Sequence, residues 1–552
     1  METKNCKKCK QDFILDSNDL GFYKKMKVPA PKVCPDCRFK MRSLWRNEMT
    51  LYSGRKCALC GRNVISMYNP KSSYIIYCQE CYLSDKWDPL DCGVEYDFSK
   101  PFFEQLKKLL ERTPKSAVFI GEPSVNSEYT NVAGENKNCY LLFNASRNEN
   151  VMYSRGLNIS RDTLDGYFNY QVENCYETVN AHLSSDVVYG QNTSGDLDSY
   201  FLLNTSGCLN CFGCVNLRHG KHQYFNKKFL ADEYRRKIID FKGSFKRTEE
   251  EKEKFKKHIV EFPQRENVNI KTINSSGNYL FECKNVKSSF ECQKCEDCKY
   301  CFSFINAKDS YDQIGRWIDS EMLLEGVAVG SGSQRIIGCY AIAHCSDVEY
   351  SFDLRSCSNC FGCDSLRSAN YCILNKQYSK EEYKKLKEHI INELKERSLY
   401  GLMIPPELAP FAYNESVAQD NFPLIKEETL SRGFRWEDDL QKTEGKETLQ
   451  PEDIPDHIKD VSDSIIGEIL RCIDCSRNYK ITNQELLFYR KMILPIPRKC
   501  FYCRHKDRII RRGPYKFWNR HCAKCQKDIT TNYAPERPEI IYCEKCYQQE
   551  VY

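Results

Sequence analysis

Cysteine pairs dominate the chemistry available to this sequence. Cys6-x2-Cys9, Cys34-x2-Cys37, Cys57-x2-Cys60 and Cys78-x2-Cys81 stand near one end. Cys472-x2-Cys475, Cys500-x2-Cys503, Cys522-x2-Cys525 and Cys543-x2-Cys546 stand near the other. A Cys-x2-Cys knuckle puts two thiolates on one tight turn, and a second pair completes a tetrahedron around zinc with Zn–S distances of about 2.3 Å. Four pairs make two sites in each module, hence about four zinc ions per chain. Sequential pairing is the simpler arrangement (Cys6, Cys9, Cys34 and Cys37 in one site, Cys57, Cys60, Cys78 and Cys81 in the next). Interleaved pairing fits the same spacings. A site closed by four thiolates leaves no position for a reactive water, so the expected role of the metal is structural.

The two modules are copies. Cys9 to Cys34 spans 25 positions, as does Cys475 to Cys500; Cys60 to Cys78 spans 18, as does Cys525 to Cys543. Phe22-Tyr23-Lys24-Lys25-Met26 with Pro29 and Pro31 is answered by Phe488-Tyr489-Arg490-Lys491-Met492 with Pro495 and Pro497. The stretches Cys6–Arg38 and Cys472–Arg504, about 35 residues each, resemble the probable zinc-ribbon family of bacterial proteins. The whole chain is similar to uncharacterised multi-zinc-ribbon proteins of uncultured bacteria. The resemblance implies zinc binding by those eight cysteines and carries no activity with it.

A second duplication lies between the modules. Cys208-x2-Cys211-Phe212-Gly213-Cys214 recurs, 149 positions on, as Cys357-x2-Cys360-Phe361-Gly362-Cys363. Each copy runs into a charged amphipathic helix. In the second, Ser379 and Glu382 form a capping box and Tyr383, Leu386, Ile390 and Leu394 make one stripe. Upstream, short apolar runs broken by Asn, Ser, Asp and Gly recur about every 11–13 residues, beginning at Asn138-Cys139-Tyr140. Units too small to bury their own face predict a stacked β-solenoid, with two units per coil; a sandwich is the alternative.

The fold class expected is therefore mainly β: β-solenoid-like repeat lobes with amphipathic helices, flanked by duplicated small zinc-ribbon modules. Its segments are a double zinc-ribbon module (1–97), a first β-repeat lobe with closing helices (98–265), a second lobe with a closing helix (266–399), a Pro-rich acidic connector (400–468) and a second double zinc-ribbon module (469–552). The connector's acidity lies between 427 and 468, with 13 Asp or Glu against five Lys or Arg. Docked on the basic module that follows, it would mask that module's face.

The inner cysteines have two readings. Cys208, Cys211 and Cys214, then Cys292, Cys295, Cys298 and Cys301, then Cys357, Cys360 and Cys363 have spacings that could hold further zinc or an iron–sulfur cluster. The x3 gap and the trailing Pro of a bacterial ferredoxin run are missing, which disfavours the cluster. The favoured reading is that Cys, a small hydrophobe, fills tight inward positions of a narrow solenoid.

Basic residues concentrate in the last module, where 11 Lys or Arg face two Asp between Arg498 and Asp528. Arg504, Arg508, Arg511, Arg512, Lys516, Trp518 and Arg520 form the candidate nucleic-acid surface, because guanidinium groups neutralise phosphates and flat rings stack on bases. The competing reading makes the aromatics module core and the charges a solvated face. The N-terminal copy (Lys24, Lys25, Arg38, Arg42, Trp45, Arg46) is a weaker version.

The 552 residues carry a net charge of +6, 29% charged and 41% apolar residues, a globular composition too long for one core. No run of 18 apolar residues predicts a membrane span. The 33 Cys, in x2 pairs without an apolar leader, point to metal in a reducing cytoplasm rather than to disulfides. Enzyme signatures are poor: there is no phosphate-binding Gly-rich loop, Gly-x-Ser-x-Gly or His-Glu-x2-His. Asp162, Asp165, Asp196 and Asp198 could serve a solenoid enzyme acting on carbohydrate but suit turns better, and His219 and His222 are candidate stray ligands. The leading expectation is a non-enzymatic cytoplasmic zinc protein that binds RNA or DNA. The runner-up is a protein–protein scaffold; a solenoid enzyme comes third.

Overall fold

The computed structural model describes residues 1–552 except 120, 122, 316–318 and 552. The chain divides into two compact units, each discontinuous in sequence. Unit 1 joins Met1–Val118 to Val268–Asp438, and unit 2 joins Phe119–Asn267 to Asp439–Tyr552. Each terminal module is thus built into the lobe remote from it in sequence: the N-terminal module with the second lobe, the C-terminal module with the first.

Both lobes are parallel β-solenoids. In the first, strand pairing runs at a constant offset of twelve, as in Tyr176↔Val188, Val188↔Tyr200 and Tyr200↔Phe212. A coil is therefore one repeat unit, and the expectation of two units per coil is corrected. The second lobe keeps the same step in Phe290↔Phe302 and Cys360↔Cys372 and stretches to thirteen at Tyr311↔Leu324.

The coil has a shorter period inside it. Every third residue across long stretches is left-handed, as at Asn138, Leu141, Asn144, Arg147, Asn150 and Tyr153. Two extended residues and one left-handed residue make a short side, so twelve residues close a small square section. The residue after each left-handed one points inward: Cys139, Leu142, Ala145 and Val151 form one such core. A section this narrow favours small side chains, so Cys, Ser, Thr, Val and Gly recur there, with Leu142, Leu157 and Phe304 among the larger residues it holds. Asn suits the left-handed corner because it visits that region at low cost. Its amide also ladders along the axis, with Asn126 donating to Asn138, Asn138 to Asn150 and Asn150 to Asp162 at 2.8–3.2 Å.

The lobes end in helices. Lys380–Glu396 begins at the Ser379/Glu382 capping box and buries Tyr383, Ile390 and Leu394, as its sequence predicts. The first lobe carries two, Ala231–Ile239 and Phe245–Ile259. The connector is shared: residues up to 438 pack in unit 1, burying Ile404, Phe411 and Tyr413, and the remainder belongs to unit 2. In unit 2 it meets the C-terminal module where Arg490 pairs with Asp463 at 2.6 Å and Arg498 donates to the carbonyls of Ile454 and Pro455. No helix among the described residues is long and apolar enough to cross a membrane.

Candidate metal centres and the clamps they position

Four groups of cysteines converge, and they are the sequentially paired sets. Cys6, Cys9, Cys34 and Cys37; Cys57, Cys60, Cys78 and Cys81; Cys472, Cys475, Cys500 and Cys503; and Cys522, Cys525, Cys543 and Cys546 each bring their sulfurs within 4.8 Å of one another. Sulfur–sulfur distances of 3.6 Å (Cys9–Cys34), 3.9 Å (Cys60–Cys78), 3.7 Å (Cys475–Cys500) and 3.8 Å (Cys525–Cys543) match the roughly 3.8 Å edge of a tetrahedron with 2.3 Å arms. The groups can hold metal ions, and four soft thiolates in a tetrahedron suit zinc. Interleaved pairing is not what the fold adopts.

Each first pair sits on a hairpin knuckle that ends in a left-handed residue (Lys10, Gly61, Ser476 or Gln526). Each second pair straddles a helix start. Cys34 caps Pro35–Ser43, Cys78 caps Gln79–Leu83 and Cys500 caps Phe501–Arg512. Backbone amides turn toward the sulfurs, with Cys34 N–H donating to Cys6 Sγ and Cys543 N–H to Cys522 Sγ, both at 3.2 Å. Such donors favour thiolate. Hydrogen bonding from Cys37 holds the Cys34 thiol down to about 5, and amide and guanidinium donors from Arg62 hold Cys60 down to about 6.

The helices capped by Cys34 and Cys500 each carry an arginine pair one turn apart that enters an acidic notch in the solenoid wall. Arg38 reaches Asp312 at 2.8 Å and Glu325 at 3.1 Å; Arg42 reaches the same two carboxylates at 2.9 and 2.7 Å. In unit 2, Arg504 meets Asp165 at 3.0 Å, and Arg508 meets Asp165 at 2.8 Å and Glu177 at 2.9 Å. All four acids are left-handed corner residues on neighbouring coils. The Phe-Tyr pairs dock as well: Phe22 stacks on Tyr311 at 3.9 Å, and Tyr489 meets Tyr176 edge-on at 5.8 Å. The tyrosine after each last cysteine makes a further tie, Tyr82 to Asp353 and Ser365, Tyr547 to Asn216.

These clamps revise the nucleic-acid surface. Arg504, Arg508 and Arg512 are at most 5% exposed, and Arg511 gives its guanidinium to the Glu177 carboxylate at 2.8 Å and to the Glu177 carbonyl. Arg512 donates to Tyr167 at 2.8 Å and lies over the Tyr515 ring at 3.7 Å. Arg504, Arg508 and Arg512 are shut away from solvent and half-buried Arg511 is turned to Glu177, so these four are directed at the chain's own groups rather than presented to a phosphate. Lys516 is exposed, and Trp518 and Arg520 are half-buried on the Trp518–His521 strand.

The inner cysteines are core thiols. The typical one donates to the carbonyl two residues back and to the one nine residues on, as Cys298 does toward Glu296 (3.2 Å) and Ala307 (3.5 Å). Cys208, Cys214, Cys292, Cys295, Cys301, Cys357 and Cys360 donate in the same way, Cys211 donates back to Leu209 and Cys363 back to Phe361. Burial pushes Cys139 up to about 11 and Cys175 up to about 12, so they stay protonated and donate. Sequence spacing alone misleads here, because consecutive inward positions of this solenoid are themselves three residues apart. Asp196 is likewise a core acceptor for Thr205 Oγ1 and Cys208 N–H, and Asp162 ends an asparagine ladder. Asp198, His219 and His222 occupy left-handed corners. Sequence reading named Asp165 only as a turn or a solenoid-enzyme acid and missed Glu177, Asp312 and Glu325; the signal available was an acid recurring at a twelve-residue step, Asp165 to Glu177.

No protein-family model matches the chain, and no curated protein is similar to it. The molecule is a β-solenoid protein with four zinc-ribbon-like modules toward its ends, each built around four cysteines.

Proposed function

We propose that this protein is a non-enzymatic binding scaffold in which zinc-loaded ribbons staple each solenoid, and that its partner is a protein. The observation that carries the reading is the burial of the paired arginines Arg38/Arg42 and Arg504/Arg508: the most basic part of each ribbon is spent on the chain's own carboxylates. Zinc at Cys34/Cys37 and at Cys500/Cys503 sets the axis of the helix that presents them, so metal, helix and notch form one mechanical link.

The free edges of the solenoids support a protein partner over a polyphosphate. They carry charge in alternating sign along the axis, Lys137 to Glu149 (2.8 Å) and Lys284 to Glu296 (2.7 Å). A nucleic-acid backbone requires a run of one sign, whereas alternation suits a protein surface of mixed charge. The test is pull-down against the host proteome with the intact protein and with Glu149→Lys/Glu173→Lys. A defined partner captured by the first and lost by the second, with metal content unchanged, is the expected result.

A second reading is nucleic-acid binding at Lys516, Trp518 and Arg520. It is supported by the exposed Lys516 ammonium over the Trp518 ring at 5.1 Å, a cation and a stacking face on one hairpin. Anisotropy titrations with single- and double-stranded RNA and DNA at two salt concentrations separate the two. Micromolar binding that weakens steeply with salt and is lost in Trp518→Ala would replace the scaffold reading.

A further inference from the structure

The two units are built from the same parts, and they differ beside the arginine notch. In unit 1, Trp45 is fully buried, meets Tyr340 at 6.3 Å and Phe352 at 6.2 Å, and donates its indole N–H to the Ile404 carbonyl. The repeat offsets place Arg511, Gln191 and Leu203 at the equivalent positions of unit 2. Three packed aromatic groups are replaced by two polar side chains and one leucine. Arg511 turns to Glu177, and Gln191 donates to the Arg511 carbonyl at 3.0 Å. Leu44, 3% exposed and next to Trp45, corresponds to Ile510, which is 60% exposed. The volume filled in unit 1 is left open in unit 2.

What remains is a cavity of about 580 Å³, within the roughly 300–1,000 Å³ typical of small-molecule sites. The solenoid face supplies Tyr176, Tyr189 and Phe201. The Phe245–Ile259 helix, whose counterpart in unit 1 is Phe102–Arg112, supplies Phe255 and Ile259 as the facing wall. Pro495 and Pro497 close the side toward the module. The walls are mainly apolar, and their charge is unbalanced. Each lining carboxylate has a cation: Glu177 has Arg508 and Arg511, Glu249 has Lys252, Asp507 has Lys499 and Glu539 has Arg537. Three lining cations have no such partner in the wall, and one of them, Arg504, is held from behind by Asp165. Arg498, 6% exposed, donates to the carbonyls of Ile496, Ile454 and Pro455 and lies over the Phe245 ring at 4.5 Å. Lys256 pairs with Glu253, which lies outside the lining.

We infer that this cavity binds a small amphipathic anion, its apolar body against Tyr176, Tyr189, Phe201 and Phe255 and its carboxylate or phosphate head toward Arg498 and Lys256. A buried guanidinium whose hydrogen bonds all go to carbonyls gains from an anion, although Asp456 also acts on its charge, and the apolar walls fix where the rest of the molecule lies. The site is independent of the protein or nucleic-acid partner proposed above.

The experiment uses the full, metal-loaded chain. Anilinonaphthalene sulfonate is titrated by fluorescence and then displaced by dodecanoate or by dodecyltrimethylammonium, which has the same tail and the opposite charge. One probe should bind per chain, with dodecanoate displacing it at least tenfold more effectively than the cation. Gln191→Tyr/Leu203→Phe, which rebuilds the unit 1 aromatics, should weaken binding at least tenfold, and Lys256→Gln severalfold for dodecanoate alone. Metal content and circular dichroism establish that each variant is folded. If the double variant does not fold, Leu203→Phe and Lys256→Gln singly carry the test. Unchanged binding in the filled variant, equal displacement by the two tails, or no saturable binding would each overturn the assignment.

Discussion

Arg508 bridges Asp165 at 2.8 Å and Glu177 at 2.9 Å, two carboxylates twelve residues and one solenoid coil apart, and the arginine itself is fully buried. One side chain of the ribbon thus ties two successive coils together. Its counterpart, Arg42, does the same for Asp312 and Glu325 in unit 1. A buried charge is tolerated only when paired, so each bridge is strong evidence of a fixed docking geometry and weaker evidence of net stabilisation.

Removing one partner strands the other. Arg508→Ala should lower the stability of unit 2 by about 3–5 kcal/mol, because Asp165 and Glu177 are left buried with less compensation. Arg508→Lys should recover little of this, since a point charge cannot fork to both acids. Differential hydrogen exchange checks the prediction: protection should fall around residues 164–182 and stay unchanged around 311–330.

The two classes of cysteine should separate on substitution. Cys475→Ser should lower the metal content by one ion per chain relative to the unaltered protein and loosen the Phe501–Arg512 helix. Cys211→Ser should leave the metal content unchanged and cost about 1–2 kcal/mol, because a hydroxyl can donate to the same carbonyl while filling less space. Elemental analysis with thermal unfolding distinguishes them.

Thiol chemistry gives a pH signature. Burial raises Cys139 to about 11 and Cys175 to about 12, so neither yields thiolate in the usual range near 8–9. In the folded, chelator-treated chain, alkylation below about pH 9 should be confined to ribbon cysteines such as Cys9, Cys60, Cys475 and Cys525, which are exposed. The inner cysteines should label only after denaturation, as peptide mass mapping would record.

Chelation should also release the clamps. With the Cys500/Cys503 anchor gone, the Phe501–Arg512 helix loses its fixed start and Arg504 its aim at Asp165. The expected outcome is faster limited proteolysis within 470–515 while the solenoid strands remain resistant. Equal protease resistance with and without metal would show that the ribbons hold their helices unaided.

The modules were legible because metal ligation demands residue types at fixed spacings, and the x2 pairs with their 25- and 18-residue gaps leave few alternatives. The solenoid was legible in kind, since short strands recur at nearly constant intervals. Its coil length was not, because the inner three-residue rhythm spreads Cys, Ser, Thr and Asn over positions that read as turns. The fate of Arg504 and Arg508 was hidden for a different reason. A basic helix looks the same whether it faces solvent or a carboxylate 339 positions away, and only tertiary pairing decides between them.

The crossed assembly has a consequence in time. Arg38 must wait for Asp312, 274 positions later, and Asp165 must wait for Arg504, 339 positions later. At roughly 5–20 residues per second, each wait lasts on the order of tens of seconds during synthesis. The N-terminal ribbon therefore emerges with its arginines unmatched, and the first solenoid is made before the ribbon that locks it. Unit 1 can close once residue 438 has left the ribosome, while unit 2 stays ajar until the final ribbon is made. A ribosome stalled between the two releases a chain with one half sealed and the other half open.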